Sequence, residues 1–130
     1  MIYLITSGEE GSRNRRTASA KFFKEPGTLS DQARGKAFRD AVFLKKKGAR
    51  IGQLWHAPEL NAKQTADIYA REFGTGEVYK KTFLRPEGSV EKCLAKLEGA
   101  GDVAIVADRS LVVKISEALK SAAPNDIMMI

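Results

Sequence analysis

Three residues of the kind that hydrolyse bonds follow apolar runs in this 130-residue sequence. Ser7 comes after Ile2-Tyr3-Leu4-Ile5, His56 after Ile51 to Trp55, and Asp108 after Val103-Ala104-Ile105-Val106-Ala107. A serine, a histidine and an aspartate at the ends of strands are the ingredients of nucleophilic acyl or phosphoryl transfer. Ser7 lacks the Gly-x-Ser-x-Gly elbow that exposes the nucleophile in many such enzymes. A second set of candidates is cationic: Arg13, Arg15, Arg16, Arg85 and Arg109, able to fork around phosphate or carboxylate oxygens. The bland alternative for these arginines is solvated surface charge balanced by nearby glutamates, and it is the favoured one.

Other chemistries are excluded or disfavoured. With one histidine and one cysteine, Cys93, the chain cannot assemble the usual zinc constellations, and no metal or cofactor is expected. A lone cysteine forms no internal disulfide and fits a reducing cytoplasm. The start is a few apolar residues without a basic leader, which does not read as a signal peptide. No run reaches membrane-spanning length. The net charge of +6 favours anionic ligands or surfaces in general. Nucleic acid is disfavoured as a partner, because the aromatic residues sit at core spacing and form no stacking platform.

The elements that must position these residues alternate along the chain. Ile2 to Ile5 reads as a short buried strand, and Thr6-Ser7-Gly8 turns the chain out of the sheet. Glu9 to Lys24 is polar and loop-like, closed by Pro26-Gly27. A helix is predicted from about Asp31 to Lys47, capped by Thr28 to Ser30, with Ala37, Phe38, Ala41, Val42 and Leu44 on one face. Lys45, Lys46 and Lys47 end it as a solvated, dipole-complementing run before Gly48. A strand over Ile51 to His56 comes next, then a helix to about Phe73 that Asn61 can cap, burying Thr65, Ala66, Tyr69 and Phe73. Val78 and Tyr79 form a brief edge strand. A helix from Ser89 to Leu97 buries Val90, Cys93, Leu94 and Leu97. Val103 to Ala107 is the clearest buried strand; Ser110 to about Ala122 is helical, and Ile127 to Ile130 is a last strand. The alternation predicts one α/β domain over residues 1–130: a three-layer α/β/α sandwich with a mainly parallel sheet.

In this order the chain resembles the histidine phosphatase (phosphoglycerate mutase-like) superfamily, and within it the small bacterial phosphohistidine phosphatases. Three patches carry the resemblance. Ile2 to Gly8 corresponds to the family's apolar strand followed by Arg-His-Gly. Ala57-Pro58-Glu59-Leu60-Asn61-Ala62-Lys63-Gln64-Thr65-Ala66 matches Ser-Pro-x-x-Arg-Ala-x-Gln-Thr-Ala at Pro58, Ala62, Gln64, Thr65 and Ala66. Val103 to Val112 corresponds to a strand, Ser-His and a helix. Leu29 to Ala33 is similar to the family's Leu-Thr-x-x-Gly helix start, with alanine in place of glycine.

The resemblance implies a site in which a histidine attacks phosphorus, two arginines and a second histidine hold the phosphoryl oxygens, and a carboxylate or similar group protonates the leaving oxygen. Carried over position by position, the nucleophile is Ser7, the arginines are Thr6 and Asn61, and the second histidine is Asp108. Of the reacting set only Gly8 matches. Asp108 places a negative charge at a helix N-terminus, where phosphate is otherwise attracted. Glu9, Glu10 and Glu59 add to the repulsion. The implied sheet order is third, second, fourth, first, fifth strand, with the fifth antiparallel as in the family. That order separates His56 from Ser7 by two strand spacings, about 10 Å. It favours a packed or rim histidine over a triad member.

The expectation is therefore a degenerate histidine-phosphatase-like domain, catalytically inactive, that binds a phosphorylated ligand or an acidic protein or has an unassigned role. The alternative is a phosphohistidine or phosphate-ester hydrolase working through a rearranged site. The sequence sets no oligomeric state.

Overall fold

The computed structural model describes residues 1–11, 28–85, 90–122 and 127–130. Arg13, Arg15 and Arg16 lie outside the described residues, as does most of the polar segment that contains them. The described elements are β1 (Ile2–Thr6), α1 (Asp31–Lys46), β2 (Gln53–His56), α2 (Leu60–Phe73), β3 (Val78–Lys80), α3 (Val90–Leu97), β4 (Val103–Ala107), α4 (Arg109–Ala122) and β5 (Ile127–Met129). The strands form one sheet in the order β3-β2-β4-β1-β5, with every pairing parallel.

β4 lies at the centre of the sheet, and all five of its residues are buried. Such an unbroken apolar strand needs cover on both faces. Helix α2 packs on β2 and β4, with α1 stacked against it; α4 packs on β1, β4 and β5, with α3 stacked against it. The two helix pairs make the outer layers. In α2 the buried stripe is Ala62, Thr65, Ala66 and Tyr69, and Gly74 closes the helix in the left-handed conformation at φ 67°. Burial in α3 pushes the Cys93 thiol up to about 11, so it sits in the core as a protonated, unreactive group. No helix among the described residues is long and apolar enough to cross a membrane.

Several expectations need correction. β5 is parallel to β1, pairing Ile2 with Ile127 and Leu4 with Met129, where the resemblance implied an antiparallel strand. The cause is the length of α4. Its 14 residues span about 21 Å, enough to carry the chain from the carboxyl edge of the sheet back to the amino edge, from which β5 starts upward again. Phe38 is 54% exposed rather than packed. Helix α1 leans mainly on α2, so the narrow stripe Ala37, Ala41 and Leu44 suffices to hold it. Asn61 does not cap α2; Glu59 occupies the N-cap position without a side-chain bond. The amide of Asn61 is used elsewhere.

Candidate functional site

The chain leaves β1 toward β2 on one side of the sheet and leaves β4 toward β5 on the other. The carboxyl ends of β1 and β4 therefore flank a topological switch point, the usual place for a ligand in an open α/β sheet. Thr6 and Ala107 are paired there, and the Ser7 N–H extends the ladder by donating to the Ala107 carbonyl at 2.7 Å. This brings the Ser7 turn beside Asp108.

The backbone just after Ser7 is held tightly. The Gly8 N–H donates to Thr65 Oγ1 at 3.0 Å, and Asn61 Nδ2 donates to the Gly8 carbonyl at 2.8 Å. Thr65 Oγ1 in turn donates to the Asn61 carbonyl at 2.8 Å. Gln64 Oε1 accepts from the Leu29 N–H at 2.8 Å. Asn61, Gln64 and Thr65 share one face of α2, at i, i+3 and i+4, and use it to clasp two loops. Gly8 is enclosed so closely that a Cβ there would stand 2.6 Å from Leu29 Cδ2 and 2.9 Å from Ala33 Cβ. Next to it, the Ser30 N–H donates to the Glu9 carbonyl at 2.9 Å, and Ser30 Oγ caps α1 by accepting from the Ala33 N–H at 3.0 Å.

Asp108 is also engaged. A carboxylate oxygen accepts from the Leu111 N–H at 2.8 Å, and its carbonyl accepts from the Val112 N–H at 3.0 Å. It is the N-cap of α4, and its charge sits on the helix's positive end. His56 is 5% exposed, and its Nδ1 donates to the Ala57 carbonyl at 2.8 Å. β4 lies between β2 and β1, so the His56 and Ser7 ends are separated as expected. Ser7, His56 and Asp108 do not form a triad.

Beside the Ser7 turn opens a cavity of about 480 Å³, walled by the end of β1, by α1, by Thr65 and Tyr69 of α2, and by Arg109 at the start of α4. Thr6, Ser7 and Gly8 line it; Asn61 and Asp108 do not. Of the two candidate arginines among the described residues, Arg109 lines it and Arg85 is exposed in the turn after β3. The second cation on the lining is Lys36, which pairs with Asp40 at 2.6 Å. Tyr69 forms part of the floor; burial, and then the charge of Asp40, hold its phenol well above the ordinary range. Sequence reasoning did not single out Lys36, Asp40 or Gln32. Their i, i+4, i+8 spacing on α1 was the available signal. No group of metal-ligating side chains occurs among the described residues.

No protein-family model matches the sequence, and no curated protein sequence does. Solved structures do match. A protein histidine phosphatase, SixA, complexed with tungstate superposes with a TM-score of 0.69 at 19% identity, over 99% of this chain and 81% of that one. A phosphohistidine phosphatase SixA structure from Agrobacterium tumefaciens gives 0.65 at 12% identity, over 95% and 82%. A mycobacterial glucosyl-3-phosphoglycerate phosphatase gives 0.63 at 17% identity, over 92% and 78%. The chain therefore has the histidine phosphatase, phosphoglycerate mutase-like fold, as the resemblance of its motifs implied.

Proposed function

We propose that this chain is a degenerate histidine-phosphatase-like domain that has no phosphohistidine-based turnover and binds a phosphorylated or acidic partner in the cytoplasm. One observation carries the reading. The groups at two positions matching the family's phosphate ligands are spent on the protein itself: Asn61 on the Gly8 carbonyl and Asp108 on the Leu111 N–H. The solved SixA structure holds tungstate, a phosphate-like oxyanion, in this fold. Among the described residues the cavity lining offers one guanidinium, Arg109, and one ammonium already paired, Lys36.

The energetic consequence is large. Charge-assisted hydrogen bonds contribute roughly 1.5–3 kcal/mol each, so losing two slows a transition state by about two to four orders of magnitude. A serine hydroxyl also needs a base to attack phosphorus. Asp108, the carboxylate next along the sheet edge, is committed to its helix and repels phosphate. Binding needs less than turnover: Arg109, the Ser7 turn and a cavity of about 480 Å³ suffice for a modest anionic ligand.

The test is an assay of the purified protein against a chromogenic phosphate ester and a phosphohistidine protein, beside Ser7→Ala. The expected result is no turnover above that control on either substrate. A rate well above the control would establish the alternative, a phosphatase with a rearranged site.

A further inference from the structure

The cavity beside Ser7 carries its charges in an arrangement that the family's phosphate chemistry does not call for. Its lining holds two cations, Arg109 and Lys36, and two carboxylates, Glu9 and Asp40. A site for a bare anion would be predominantly cationic; among the described residues this lining sums to zero. The charges are also spread along its length. Ser30 is bonded to Glu9 at the carboxyl edge, close to where Arg109 begins α4. Asp40 lies ten residues further along α1, about 15 Å toward the amino edge. Apolar Ile5, Ala33 and Ala37 also line the cavity. At the Asp40 end Lys36 provides a counter-ion, but its side chain is 69% exposed, and such pairs are readily exchanged.

We propose that this cavity takes an elongated zwitterion, its anionic head at Arg109 and the Ser7–Gly8 turn and its ammonium group at Asp40. The proposal rests on the reading of the domain as a binding module and narrows its ligand. A ligand with a positive pole can exchange with the exposed Lys36 at Asp40 while its negative pole engages Arg109. The volume and the spacing of the poles suit a long-chain aminoalkyl carboxylate or aminoalkyl phosphate.

The test titrates the protein calorimetrically with two series of increasing chain length, ω-amino carboxylates and aminoalkyl phosphates, which distinguishes the two kinds of head. Simple carboxylates, inorganic phosphate and alkylammonium ions are the single-charge controls. The expected result is a length optimum in at least one series, with affinity about tenfold or more above either control. Arg109→Ala and Asp40→Asn should each remove that gain. Lys36→Ala frees Asp40 and should tighten the zwitterion a few-fold, a change that a merely structural residue would not give. Equal affinity for inorganic phosphate and the zwitterions, no effect of Asp40→Asn, or no saturable binding in either series would overturn the proposal. Ser7-dependent release of phosphate from the aminoalkyl phosphates would overturn the binding-module reading instead, and leave the two-pole assignment standing.

Discussion

The two sides of the Ser7 turn are built on different principles. On the α2 side, Asn61, Gln64 and Thr65 make a closed set of hydrogen bonds to Gly8 and Leu29, with almost no free volume around Gly8. On the α1 side the chain leaves a cavity, and Lys36 and Asp40, at 69% and 31% side-chain exposure, pair across its wall. The first side holds the matching positions of the most specific family motif. The second holds the charges that a ligand would meet. The difference separates two jobs that one motif performs together in the resemblance. Gln64 and Thr65 hold the loops, and that task remains whether or not the neighbouring residues react with phosphate. A chain can therefore keep the motif's architecture while its reacting positions read Thr6, Ser7, Asn61 and Asp108.

If the α2 side is the rigid one, Gly8→Ala should be the most damaging single change to stability. The new methyl has to displace Leu29, which is fully buried, and the Cβ of Ala33, which cannot rotate away. Overpacking of that kind costs about 2–3 kcal/mol, read as a shift of the urea midpoint at unchanged slope. A loss below about 0.5 kcal/mol would mean that the loops relax freely, and the contrast would fail. Thr65→Val comes next. It keeps the shape but leaves the half-buried Gly8 N–H without its acceptor and removes the hydroxyl bond to the Asn61 carbonyl, for about 1–2 kcal/mol.

The frame of this arrangement was legible in the sequence, and the local bonding was not. The apolar runs and helical stripes marked all nine described elements, most clearly β1, β4 and the helices that bury a continuous face; β3 and β5 are short and mostly exposed. The strand order followed from the matched motifs, and the pairings agree with it. Asn61 shows where local reading stops. An asparagine three residues after Pro58 is a good candidate cap, yet a tertiary acceptor, the Gly8 carbonyl 53 positions away in sequence, takes its amide. The direction of β5 depends on how far α4 carries the chain, and the exposure of Phe38 on α1 resting mainly against a helix rather than the sheet. Lys36 and Asp40 read as an ordinary surface i, i+4 pair. Only the cavity beside them gives that pair a context.

Asp108, next to Ala107 whose carbonyl holds the Ser7 N–H, allows charge and capping to be separated. Asp108→Ala removes the acceptor for the Leu111 N–H and should cost about 1 kcal/mol. Asp108→Asn keeps an oxygen for that N–H and removes the negative charge, so its stability should change by no more than a few tenths of a kcal/mol. The same variant should bind inorganic phosphate more tightly than the parent, because the positive end of α4 is no longer neutralised by a carboxylate. Unchanged phosphate affinity in Asp108→Asn would show that the aspartate is a cap only and takes no part in excluding anions.

The smallest effect on stability is expected at Lys36, and it bears most directly on the contrast. The Lys36–Asp40 pair is short at 2.6 Å, but its ammonium is 69% exposed and its partner only four residues away on the same helix. Water competes for both groups, and ordering a long side chain offsets much of the attraction. Lys36→Ala should therefore change unfolding stability by no more than about 0.5 kcal/mol, and less still in high salt. Short distance alone would suggest a strong interaction; exposure decides against it. A loss comparable to that of Thr65→Val would mean that the α1 wall is as structural as the α2 clasp, and that the cavity's charges serve the fold rather than a ligand.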